Sequence, residues 1–110
     1  MSRFLPLLIL AALVLPAGSA ATGPRLSLDD RAPFTVRGLG FAPHEKVKVV
    51  VSIKSSATRW TTAGQRGGFL LRFPTLELGY CQGYVIRATG SKGSRTMLRV
   101  TPECPLPAEP

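Results

Sequence analysis

Along Lys46–Lys54 (KVKVVVSIK) a β-branched residue recurs at every second position: Val47, Val49, Val51 and Ile53. Lys46, Lys48, Ser52 and Lys54 face the other way. Successive side chains of an extended chain point to opposite faces, so this segment buries one face and wets the other. Period two with β-branched residues predicts a half-buried β-strand.

The flanking sequence has the same character. Arg25–Leu28 (RLSL) alternates weakly and reads as a first strand, followed by a polar turn at Asp29-Asp30-Arg31. Pro33–Arg37 puts Phe34 and Val36 on one face, and Gly38–Glu45 is rich in turn residues. Thr58–Thr62 is a short strand candidate, and Gly64–Gly68 is a turn whose glycines supply positive φ cheaply. Phe69–Phe73 aligns Phe69, Leu71 and Phe73; Gly83–Thr89 aligns Tyr84, Ile86 and Ala88. Gly90–Ser94 is a hairpin loop, and Arg95–Thr101 points Leu98 and Val100 inward, Met97 and Arg99 outward. Seven short strands separated by turns every 8–12 residues or about that describe an all-β antiparallel sandwich or barrel.

The first residues are read as a leader. Arg3 is a positive start, Phe4–Leu15 is apolar, Pro16 breaks it, and Ala17-Gly18-Ser19-Ala20-Ala21 offers small residues to a peptidase. The apolar run is shorter than the roughly 20 residues a membrane span needs. Residues 1–20 are therefore expected to be a cleaved signal peptide, with cleavage after Ala20 or Ala21 fitting equally. Residues 21–104 form one domain and residues 105–110 a Pro-rich tail. The expected location is secreted, periplasmic or cell-envelope.

That compartment changes the reading of the cysteines. Cys81 and Cys104 are an even pair, and an oxidising environment makes a disulfide the default. Their midpoint falls between Lys92 and Gly93, so both lie at the same end of the last hairpin. A simple mirror register would pair Ile86 with Arg99, placing an inward residue opposite an outward one. A shift of one residue pairs Ile86 with Leu98 or Val100 instead and predicts a bulged or three-residue loop.

The stretch Val36-x-Gly38-x-Gly40-Phe41-x-Pro43-x-Glu45-x-Val47-x-Val49 resembles a signature of bacterial secreted immunoglobulin-like domains. Gly67-Gly68-Phe69, and Gly83-Tyr84-x-Ile86-x-Ala88 followed by Gly90 and Gly93, are similar to later elements of that family. His44 departs from it, standing where Gly is usual, and the cysteine pair is no part of the pattern. The resemblance covers most of residues 25–101. It implies an immunoglobulin-like β-sandwich of about seven strands, used as an extracellular module, with no catalytic residues. Tyr84, two positions before Ile86, has the spacing of a tyrosine corner; a core tyrosine without the corner bond is the alternative.

Enzyme motifs are missing. There is no G-x-S-x-G, Gly38-x-Gly40 lacks its third glycine, and no Lys-Ser/Thr follows Gly64–Gly68. His44 reads as a solvated turn residue rather than a general base. Asp29 and Asp30 read as turn carboxylates rather than a cation site, and Glu77 and Glu103 suggest no partner. One His and two Cys exclude a zinc or copper site built from several such ligands. No metal or cofactor is expected. Trp60 offers a stacking face for a sugar, though packing in the core or on a sheet face is the expected role.

Basic excess is the one feature with functional content. The chain carries 14 Lys+Arg against 6 Asp+Glu, a net charge of +8. In the standard sandwich the third, sixth and seventh strands share a sheet. Lys46, Lys48 and Lys54 on the third, Arg87 on the sixth and Arg99 on the seventh would then form a cationic outer face with no acid. A solvated face in an Arg-rich chain gives the same pattern, and the absence of any Asn points to compositional bias. The expected function is a secreted structural or protein-binding module without catalytic activity. The alternative is a cationic envelope protein binding teichoic acid, lipopolysaccharide or nucleic acid, with nucleic acid not expected as the physiological partner. A small hydrolase or hydrolase inhibitor is the third reading.

Overall fold

The computed structural model describes residues 23–102 and Cys104. The proposed signal peptide and its cleavage point, Glu103 and the 105–110 tail lie outside the described residues. Seven strands follow in order: β1 (Arg25–Arg31), β2 (Phe34–Leu39), β3 (Lys46–Ser52), β4 (Ser56–Thr62), β5 (Phe69–Phe73), β6 (Tyr84–Gly90) and β7 (Arg95–Val100). They form two antiparallel sheets, one ordered β1-β2-β5 and the other β4-β3-β6-β7.

The two sheets bury their apolar faces against each other. Phe34 and Val36 on β2 and Phe69, Leu71 and Phe73 on β5 meet Val47, Val49 and Val51 on β3 and Tyr84, Ile86 and Ala88 on β6. Burial of each large side chain contributes about 1.5–3 kcal/mol. Phe34 sets the geometry of the centre, standing edge-on to Tyr84 (centroids 5.3 Å apart, 82°) and to Phe73 (6.4 Å, 80°), the arrangement that ring quadrupoles favour. Burial pushes the Tyr84 phenol above its ordinary value of 10.0, and the charge of Arg31 offsets part of the rise.

Several expected strand bounds change: β2 runs on through Leu39 and β4 begins at Ser56 rather than Thr58, and two further changes have a clear cause. The first strand does not stop at Leu28: it continues to Arg31 through a bulge between Leu28 and Asp30. A bulge lets one polar residue leave the ladder without ending it. Asp29, at the bulge, turns to Arg37 on β2 (Oδ1 to Nη2 2.9 Å), and Arg31 Nη2 donates to the Gly79 carbonyl at 2.9 Å. The third strand stops at Ser52 rather than Lys54, because Ser52 pairs with Ser56 and the chain must turn over Ile53–Ser55. Ile53 still packs against the core from that turn.

The last hairpin takes the shifted register. Ile86 pairs with Leu98 and Tyr84 with Val100. Gly90 N–H donates to the Ser94 carbonyl (2.7 Å) and Gly93 N–H to the Gly90 carbonyl (3.1 Å), leaving Ser91-Lys92-Gly93 as a three-residue loop. Gly93 closes it at φ 101°, a conformation that a Cβ disfavours. At the opposite end Cys81 and Cys104 are disulfide-bonded with Cα atoms 5.8 Å apart. The bridge ties the segment after β7 to the segment before β6.

Candidate functional site

The registers place every outward side chain of the four-stranded sheet. Lys46 stands opposite Thr62. The next row across the strands reads Trp60, Lys48, Thr89 and Arg95. The row after that reads Thr58, Val50, Arg87 and Met97, and the last Ser56, Ser52, Val85 and Arg99. Lys48, Arg95 and Arg99 thus occupy diagonal positions around Arg87, roughly 7–8 Å away backbone to backbone. All the cations are exposed.

Among the described residues no acid stands with them. Of the described carboxylates, Asp29 and Asp30 are on β1 of the other sheet, Glu77 is in the β5–β6 connection, and Glu45 is buried in the turn before β3. Among the described residues the Asp29–Arg37 bridge is the only ion pair. Like charges at neighbouring sheet positions repel, so an anion laid across this face relieves an unfavourable term instead of displacing an existing partner.

The structure brings Lys46, Lys48, Arg87 and Arg99 together on this face. Lys54 does not join them: it lies in the β3–β4 turn, beyond the end of the strand. Arg95 does, although the sequence reading omitted it. Its signal was available, since Arg95 shares the parity of Met97 and Arg99. Of the two placements open to Trp60, core or sheet face, the structure takes the sheet face: it is 62% exposed on the outer side of β4, because the inward positions of that strand fall to Ala57, Arg59 and Thr61. Arg59 uses its inward-facing position to reach across the open side of the sandwich and donate to the Arg72 carbonyl on β5.

Trp60, Lys46, Thr61 and Thr62 line a depression of about 550 Å³. A second, about 490 Å³, has Arg87, Thr89, Arg95 and Met97 among its walls. Across the strands Lys48 stands between Trp60 of the first and Thr89 of the second.

Glu45 is the other residue whose role the sequence hid. It is fully buried, yet every acceptor position is used. Oε1 accepts from the Ala42 N–H (2.9 Å) and the Ser94 hydroxyl (2.7 Å), and Oε2 from the N–H groups of Lys92 (2.7 Å) and Ser94 (3.2 Å). Burial alone would raise its pKa, but these hydrogen bonds outweigh it and hold the carboxyl below its ordinary value of 4.5. Oε2 rests where a Cβ on Gly90 would lie, 2.1 Å away, so position 90 accepts only glycine while the carboxylate is in place. Glu45 staples the β2–β3 turn to the β6–β7 loop, a structural use that leaves it no free lone pair for chemistry.

His44 is a turn residue in the left-handed region at φ 60°, its N–H donating to the Gly64 carbonyl (3.3 Å). Asp30 Oδ1 accepts from the Ala32 N–H (3.3 Å). Among the described residues no cluster of three or more His, Cys, Asp or Glu side chains could hold a metal ion, and no helix is long and apolar enough to cross a membrane. No protein-family model, curated protein or solved structure matches the chain.

Proposed function

We propose that this protein is an extracytoplasmic immunoglobulin-like binding module, without catalytic machinery, that holds an anionic envelope polymer on the outer face of its four-stranded sheet. The observation that carries the reading is the set Lys46, Lys48, Arg87, Arg95 and Arg99 on one exposed face, with no carboxylate between them among the described residues. A cationic sheet face of this kind attracts polyanions over distances of about a Debye length, roughly 8–10 Å at moderate salt.

The immunoglobulin-like assignment is supported by β3, β6 and β7 sharing one sheet while β1, β2 and β5 share the other. The fourth strand sits beside the third, a departure from the constant-type arrangement in which it joins the first, second and fifth. Export is supported by the leader-like first residues and by the Cys81–Cys104 disulfide, which suits an oxidising compartment.

Retention on heparin against a salt gradient tests the function. The double variant Lys48→Glu/Arg87→Glu should elute at markedly lower salt than the parent. Arg66→Glu/Arg72→Glu makes the same charge change in a turn and on the other sheet, and should elute much closer to the parent. Equal elution of the two variants would mean the attraction is diffuse, and the plain protein-binding module would replace this reading.

A further inference from the structure

Charge alone does not explain Trp60. Its indole leaves a large apolar surface in water on a sheet whose other face already fills the core. It stands opposite Lys48, with Lys46 and Thr62 beside it around the same depression. The outward side chains of β4 are Ser56, Thr58, Trp60 and Thr62, so the row that is cationic elsewhere begins with an aromatic ring among hydroxyls.

We infer that Trp60 is a sugar-stacking subsite, and that the polymer held on this face is an acidic polysaccharide. This rests on the reading of the face as a polyanion site. A pyranose ring has an apolar C–H face that fits flat on an indole, and equatorial hydroxyls that suit Thr58 and Thr62. Lys46 and Lys48 stand where a carboxylate or sulfate on that same sugar would fall. The remaining cations, on β6 and β7, lie too far away for the same ring. Strand spacing of roughly 4.8 Å puts Arg95 about 14 Å from Trp60, so those cations meet later units of the chain. The polymer therefore runs across the strands, from β4 to β7, and not along them.

A nucleic acid fits the face less well. Single-stranded nucleic acid is held by stacking successive bases on several aromatic side chains. Among the described residues Trp60 is the only aromatic on this face.

The test compares Trp60→Ala and Trp60→Phe with the parent on three probes: polygalacturonate, inorganic polyphosphate and oligothymidylate. Trp60→Ala should weaken polygalacturonate binding about tenfold, as truncation of an anchoring Trp does, while polyphosphate binding changes by less than about twofold. Trp60→Phe should retain most of the polygalacturonate affinity. Trp60 is the only tryptophan in the chain, so its fluorescence in the parent should shift on adding polygalacturonate and stay unchanged with polyphosphate. Matching urea midpoints would show that the variants are folded. Equal losses on polygalacturonate and polyphosphate, or no loss on either, would overturn the stacking subsite. A loss on oligothymidylate as large as on polygalacturonate would assign the face to nucleic acid. Failure of the parent to bind any of the three at low salt is a separate outcome: the polyanion reading itself then falls.

Discussion

His44 and Glu45 are neighbours with opposite energetic signs. His44 sits at φ 60°, a conformation that costs a side chain with a Cβ about 1–2 kcal/mol. Glycine takes it freely, so His44→Gly should raise stability by about 0.5–1 kcal/mol after the entropy of the unfolded chain is counted. A higher urea midpoint with an unchanged m-value is the expected result. Glu45 is the reverse case. Glu45→Gln puts an amide N–H₂ where backbone donors already point, and should cost about 2–4 kcal/mol. Its pKa is depressed on folding, so the unfolded chain binds the proton more tightly. The stabilisation is fully present above 4.5 and is lost as pH falls through the lower folded value. The stability gap between parent and Glu45→Gln should therefore be constant near neutral pH and narrow on acidification below 4.5.

The β6–β7 hairpin is held at both ends, by Glu45 and the three-residue loop at one and by the Cys81–Cys104 bridge at the other. Gly93 has open space around its Cβ position, so Gly93→Ala meets no clash and measures backbone strain alone. It should cost about 1 kcal/mol. The bridge spans a sequence separation of 23, and in the chain-entropy model such a loop contributes roughly 3 kcal/mol. Cys81→Ser/Cys104→Ser should therefore lose about 3 kcal/mol in denaturant titration, a large part of the stability of so small a domain. The register of this hairpin was legible beforehand, because only a one-residue shift lets Ile86 face an inward partner. The extension of β1 was not, since a bulge makes a strand end look like a polar turn.

For the whole molecule the question is how the cations add up. An anionic polymer engaging about four of them would lose roughly two decades of affinity between 50 and 200 mM salt through counterion release. Arg95→Ala and Arg99→Ala should each flatten that salt dependence by close to one contact. Lys54→Ala should change it much less, because Lys54 lies in the turn past the end of β3. Equal effects of Lys54 and Arg95 would show that net charge and not the face governs binding.

Side-chain alternation belongs to the extended backbone itself, so the sequence alone determined which residues of β3, β5 and β6 are core and which are outward. It also made a Cys81–Cys104 disulfide the default over two free thiols, and the structure forms that bridge. Tertiary structure decided what local geometry cannot. The strand at Ser56–Thr62 has Arg59 on one parity and Trp60 on the other, so no apolar face assigns it to a sheet. Its hydrogen bonds to β3 do, and they turn Trp60 out beside Lys48. The burial of Glu45 likewise depends on donors more than forty positions away in sequence, Lys92 and Ser94. Alternation is set by covalent geometry within a few residues, whereas sheet membership and buried-charge compensation are set by non-local partners that exist only once the two sheets have met.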